Sequence, residues 1–181
     1  MMSDTSLIDV LLTEYEQLKK EQNYRLRTRD YLPVAVLASS GAIVAAMFNF
    51  SNRVDLLLLI PVITVILGWI YLTNDEKISS IGKYIRTSIS SRISSLLSEP
   101  GIFGWENFHR SDSRRFLRKV SQFVIDIFSF GVLPTSALVA FWLTDTYSIL
   151  LLFVSLFELL LVMSLIFHIT VYRDFGRDTY E

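Results

Sequence analysis

Apolar positions fall into four blocks along the chain rather than spreading evenly. Residues 32–50, 56–72, 123–143 and 149–171 hold most of the Leu, Ile, Val and Phe. A helix needs roughly 20 residues to cross a hydrocarbon core about 30 Å thick, with about 17 as the lower limit. Each block reaches that length. The pattern predicts an all-α polytopic membrane protein with four transmembrane helices.

The segments between the blocks also have periodicity. In residues 5–30, Ile8, Leu11, Tyr15 and Leu18 follow the three- and four-residue spacing of an amphipathic helix face, and Gln22 and Arg25 then break it. Such a helix can pack on the protein's own polar part, form a short oligomerising coiled coil, or lie on the membrane surface. After the second block, Ile78, Ile81, Ile85, Ile89, Ile93 and Leu96 make a longer stripe interleaved with Ser, Lys and Arg. This is a second amphipathic helix, over residues 75–97, too polar to span a bilayer. It either continues the second crossing or folds down onto the membrane, and Pro100-Gly101 ends it.

The expected organisation is therefore an N-terminal amphipathic helix (1–30), a first transmembrane hairpin (31–73) and a helical connector (74–122). A second hairpin (123–171) and a short tail (172–181) follow. No internal repeat of convincing period relates the two hairpins, which places a repeat-built transporter last among the possible functions.

Composition agrees with a membrane protein: 51% of the 181 residues are hydrophobic and the mean hydropathy is +0.42. Eleven charges in the first 30 residues leave no room for a cleavable apolar leader, so the first crossing is expected to act as the insertion signal. The lack of cysteine excludes disulfides, a thiolate nucleophile and thiolate metal sites.

Charge orients the crossings. Sixteen of the 17 Lys and Arg residues lie in the N-terminal segment, the long connector or the tail; only Arg53 lies in the two short connectors. Basic residues in short loops favour the cytoplasmic side. Both termini and the long connector are thus expected in the cytoplasm. Tyr31, Trp69, Tyr71 and Tyr172 would then mark the inner interface, and Trp142 and Tyr147 the outer one.

Three groups of residues bear on chemistry. The first is a small-residue face on the first crossing, Ala38, Ala42 and Ala46 with Gly41 and Ala45 beside them. Such a face lets a second helix approach closely, whether from this subunit or another. The second is a set of intramembrane polar residues. Glu158 lies nine residues into the fourth crossing, about 13 Å deep, with Thr64, Thr135 and Ser136 at similar depth. Asp126 sits near the inner end of the third crossing with His168 as its expected partner. Ionisable groups in the membrane cost roughly 2.5–3.5 kcal/mol on insertion scales, so they mark either ion or proton paths or hydrogen-bonded links between helices. The third is the basic connector, with nine Lys or Arg against five acids. Its charge serves topology and attraction to anionic lipid. Alternatively Trp105, Glu106, His109, Arg110, Arg114 and Arg115, with Lys83 and Arg86, form a surface for a protein partner or an anionic small molecule. No phosphate loop, HExxH or nucleophile elbow occurs, and His109 has no metal-spaced companion. The expectation is a non-enzymatic protein with no cofactor, no metal and no direct contact with nucleic acid.

One stretch is distinctive: Gly68-Trp69-Ile70-Tyr71-Leu72-Thr73-Asn74-Asp75-Glu76-Lys77-Ile78, then Ile81-Gly82-Lys83-Tyr84-Ile85-Arg86, with Phe103-Gly104-Trp105-Glu106 and Arg110-Ser111-Asp112 further on. These motifs resemble an uncharacterised family of small bacterial four-helix integral membrane proteins, over roughly residues 10–170. The resemblance implies a bacterial inner-membrane protein and supplies no activity. By analogy alone, small membrane proteins with cytoplasmic sensing parts act as effectors in antiphage defence. Two functions are therefore expected. The first is a homo-oligomeric, channel-like or membrane-perturbing effector under cytoplasmic control, with Glu158 in its responsive core. The alternative is a membrane anchor or scaffold that recruits a soluble partner.

Overall fold

The computed structural model describes residues 4–50, 53–99, 102–103, 115–144 and 148–172. Those residues are helical apart from short connecting turns, with no strand among them. Four helices are long and apolar enough to cross a membrane. Helix α1 spans Asp4–Asn49 and α2 spans Val54–Leu97. Helix α3 runs from Arg115 to Trp142 through the segments Arg115–Ile127, Phe128–Val132 and Leu133–Trp142, and α4 spans Ile149–Tyr172. The all-α, four-helix expectation is met.

The helix α1 passes through residues 30 and 31 without a break, although the polar-to-apolar change there suggests a boundary. Pro33 lies inside the helix. It is buried, where neighbouring helices tolerate a missing N–H. The second amphipathic stripe likewise continues its crossing rather than folding onto the membrane, so the polar and apolar halves of α2 form one rod of 44 residues.

The two rods project beyond the bundle. Leu32 of α1, Tyr71 of α2 and Ile169 of α4 share one buried cluster with Val36, Phe130 and Leu165. Beyond that level α4 continues only to Tyr172 and α3 back to Arg115, whereas α1 extends back to Asp4 and α2 forward to Leu97. At 1.5 Å per residue the paired extension is about 40 Å long. Its seam buries Leu11 against Ile85, Ile89 and Ile93, with Tyr15, Leu18, Ile81 and Leu96 packed around them. Of the three fates open to the N-terminal helix, packing on the protein's own polar part is the one adopted.

A wide turn helps to keep this seam straight. Isoleucines at four-residue spacing drift by about 40° per step on a 3.6-residue helix. The segment Ile85–Ile89 is a π turn, in which the Ser90 N–H donates to the Ile85 carbonyl. Extra residues in that turn absorb the drift, and Ile85 and Ile89 are both fully buried. After Ser98, which ends the helix with φ 53°, residues 102–103 lie against the hairpin. The Phe103 ring stacks on Tyr15 at 4.2 Å, and Ser90 Oγ donates to the Ile102 carbonyl at 3.0 Å.

Within the bundle α2 is the common partner, touching α1, α3 and α4. A second π turn, Phe128–Val132, interrupts α3 just before Pro134, and there the Leu133 N–H donates to the Phe128 carbonyl. Proline cannot donate to the carbonyl four residues back, and the wider turn accommodates that gap. Gly131 beneath it faces Ile166 of α4; a Cβ there would lie 3.2 Å from the Ile166 Cδ1. Gly68 is tighter still, because a Cβ would collide with the Leu165 side chain.

A Gly68→Val substitution is therefore expected to lower stability by about 1–3 kcal/mol through overpacking, read as a lower melting temperature of detergent-solubilised protein. Gly41→Val is the control. Its Cβ would meet nothing within 4 Å, so its melting temperature should match the wild type.

Candidate functional site

The polar residues held inside the helices fall into four levels along the bundle. At the basic end, where the α1–α2 extension begins, a ladder links the two helices. Gln22 Nε2 donates to the Ile78 carbonyl (3.2 Å), Arg25 Nη1 to Asn74 Oδ1 (3.2 Å) and Arg29 Nη1 to Asp75 Oδ1 (2.9 Å). Further out, the Tyr84 hydroxyl donates to Glu14 Oε1 at 2.9 Å. Gln22 and Arg25 thus break the apolar stripe of α1 in order to bond α2. Burial works against the Arg29 charge, yet the hydrogen bonds to Asp30 and Asp75 outweigh it and hold the guanidinium above its ordinary pKa.

One turn deeper, Asp126 is 1% exposed and accepts from two side chains. The Tyr71 hydroxyl donates to Oδ2 at 2.9 Å, and Gln122 Nε2 to Oδ1 at 3.2 Å; Gln122 Nε2 also reaches the Tyr71 hydroxyl at 3.1 Å. His168, the partner expected from depth, does not pair with Asp126. Its Nδ1 lies 2.8 Å from the Ser164 carbonyl of its own helix. Its ring packs against Trp69 at 4.9 Å and stacks on Tyr172 at 6.0 Å. The ring is thus held by α2 and by its own helix end.

Near mid-bundle, Glu158 is 5% exposed and Thr64 fully buried. The Glu158 Oε2 and Thr64 Oγ1 atoms have no hydrogen-bond partner. Thr135 is half-buried and Ser136 is exposed; the Ser136 hydroxyl donates to the Val132 carbonyl of its own helix at 2.7 Å. Of the four residues grouped by depth, the structure thus buries Glu158 and Thr64 and turns Ser136 outward. Toward the opposite end, Trp142 Nε1 donates to Ser155 Oγ at 2.8 Å, tying α3 to α4.

The polar surface expected on the connector is only partly within reach. Trp105, Glu106, His109, Arg110 and Arg114 lie outside the described residues, and of Arg115 the structure describes only its place at the start of α3. Lys83 is exposed and Arg86 half-buried on α2. Lys83 lines a cleft of about 200 Å³ with Asp75, Glu76, Ser79 and Ser80, beside Leu72 and Tyr172. Two carboxylates against one ammonium is a poor lining for an anion. Among the described residues, no group of His, Asp or Glu could hold a metal ion.

Tyr71, Gln122 and Ser155 were not singled out by depth, because depth was measured from Glu158 and Asp126 and does not say which way a side chain points. Gln122 stands four residues before Asp126 on one helix face, and that spacing is the signal that could have found it. No family model, no curated protein and no solved structure matches the chain, so the likeness to small bacterial membrane proteins rests on its motifs alone.

A Tyr71→Phe substitution removes one donor from the buried Asp126 carboxylate. The expected loss is about 1–3 kcal/mol, measured by unfolding in mixed micelles, and it should shrink when Asp126 is already replaced by Leu. Equal losses in both backgrounds would show that the hydroxyl does not act through Asp126.

Proposed function

We propose that this protein is a non-enzymatic anchor or scaffold in a bacterial inner membrane, holding a helical hairpin in the cytoplasm for a soluble partner protein. The observation that carries this reading is the inward orientation of both intramembrane acids, Glu158 and Asp126, which are buried within one subunit. Acids that line a conducting path need water or ions alongside them, and neither residue faces the outside of the bundle. The α1–α2 extension supports the same reading. Its apolar seam joins α1 and α2 of the same chain, while Leu7, Val10 and Leu12 stay exposed beside it. The cytoplasmic placement of stalk and termini rests on the segregation of the basic residues.

A second reading has one observation in its favour. Ala38, Gly41, Ala42 and Ala45 of α1 are exposed and Ala46 is half-buried, so most of the small-residue face is not used inside the subunit. Small faces of this kind serve helix–helix contact in membranes, as a homo-oligomeric, channel-like effector would require. The antiphage role belongs to this reading and stands on analogy.

Crosslinking in cells followed by affinity purification separates the two. The anchor reading expects a soluble protein in stoichiometric amount, still recovered with Glu158→Leu. It also expects vesicles carrying the purified protein to be no leakier than empty ones. Ionic currents that Glu158→Gln alters, with no soluble protein recovered, would replace it with the channel reading.

A further inference from the structure

The exposed face of α2 changes character where the helix leaves the bundle. Val62, Ile66 and Trp69 hold it on the apolar side. Thr73, Glu76, Ser80 and Lys83, all exposed, continue it at three- and four-residue spacing. The cleft of about 200 Å³ opens at that change. Leu72 begins it on the membrane side, and Tyr172, the last residue of α4, flanks it. An aromatic row joins the two helices there, Trp69 against His168 at 4.9 Å and His168 against Tyr172 at 6.0 Å. Rings of this kind sit at the level of lipid headgroups.

The charges lining the cleft form a dipole. Asp75 gives its Oδ1 to the Arg29 guanidinium at 2.9 Å, so one of the two carboxylates is already matched. The remainder is one carboxylate, Glu76, and one ammonium, Lys83. They stand seven residues apart, about 10 Å along the axis. Helix side chains pair directly at a spacing of three or four residues, so these two present separate poles. Long side chains lean back toward the helix N-terminus, which carries the Lys83 ammonium toward Ser79 and Ser80 in the same cleft. Opposite charges with hydroxyls between them match a neutral molecule that itself has two poles. The volume narrows the choice. It exceeds the roughly 30 Å³ of one water and falls below the about 300–1,000 Å³ of pockets that enclose drug-sized ligands, so it suits a headgroup better than a nucleotide.

We propose that this cleft seats the headgroup of a zwitterionic aminophospholipid, an ethanolamine phosphate, with the acyl chains laid along the Trp69 face of α2. The lipid ammonium donates to the Glu76 carboxylate. The phosphate oxygens accept from the Lys83 ammonium and from the Ser79 and Ser80 hydroxyls. A choline headgroup has no N–H to give Glu76, and an anionic glycerol headgroup has no positive pole to set against it. This inference goes beyond the anchor reading and does not rest on it, since a lipid can sit on a scaffold or on an effector.

Trp69 serves as the reporter. The chain has three tryptophans, and Trp105→Phe with Trp142→Phe leaves Trp69 alone in the full-length protein. Its fluorescence is measured in vesicles of phosphatidylethanolamine and phosphatidylglycerol, with bromine on the acyl chains of one lipid at a time as the quencher. The proposal expects the ethanolamine lipid to be preferred beside Trp69 by about tenfold over the glycerol lipid, the worth of one charge-assisted hydrogen bond. The same preference is expected over phosphatidylcholine. Glu76→Gln should bring it close to parity, whereas Lys77→Gln, exposed on α2 but outside the cleft, should leave it unchanged. Native mass spectrometry of protein with all three tryptophans, released from the same vesicles, should find a retained ethanolamine phospholipid that Glu76→Gln and Lys83→Gln each lose. Equal quenching by the two lipids, preference for the glycerol lipid, or a preference that survives Glu76→Gln would overturn the proposal. Displacement of the brominated lipid by an equimolar amount of soluble glycerophosphoethanolamine would do so too, because the cleft would then take a free zwitterion.

Discussion

The structure depends on the unbroken course of α2. In hydrocarbon every backbone amide must be satisfied within its own helix. That requirement favours carrying the ladder straight through the membrane border over breaking it at Asn74. Because α2 does not break, the α1 that pairs with it need not break either, and the contact made in the membrane extends into the polar half without a joint. The other two helices dock on this pair: α4 where Gly68 admits Leu165, and α3 where Tyr71 reaches Asp126.

Polar residues follow a gradient along that axis. In the α1–α2 extension they are charged and water-accessible on one side, as in Arg25 with Glu21 or Arg29 with Asp30. One turn deeper, Asp126 is enclosed and accepts from the Tyr71 hydroxyl and the Gln122 side-chain amide. In mid-bundle the Glu158 Oε2 and Thr64 Oγ1 atoms have no hydrogen-bond partner. The supply of protein donors falls along that axis, from ion pairs in the extension to unpartnered oxygens in mid-bundle.

Much of this was legible in the sequence because the bilayer imposes a length and the helix a period. The four apolar blocks and the isoleucine stripe each translate into an element with little competition from other folds. Pairings were less legible. Gln22 and Arg25 appear as interruptions of a stripe until α2 is beside them, when each acquires a specific acceptor. His168 was placed by depth alone, and depth leaves the rotation of a helix about its own axis undetermined; Trp69 and Ser164, not Asp126, settle where that ring goes. The two π turns were invisible for a similar reason, since each adjusts the phase of a helix to neighbours distant in sequence. Pro134 marks a place where α3 must adjust but does not say how.

The length of the paired rods has a mechanical consequence. A stiff extension of about 40 Å rooted in the bundle is a lever. A tilt of about 5° at its base, well within the range over which membrane helices lean, sweeps its tip sideways by about 3–4 Å. That displacement is comparable with the width of a side chain. Changes in bilayer thickness too slight to repack the bundle would be magnified at the far end of the hairpin, and a push there would be returned to the membrane as torque.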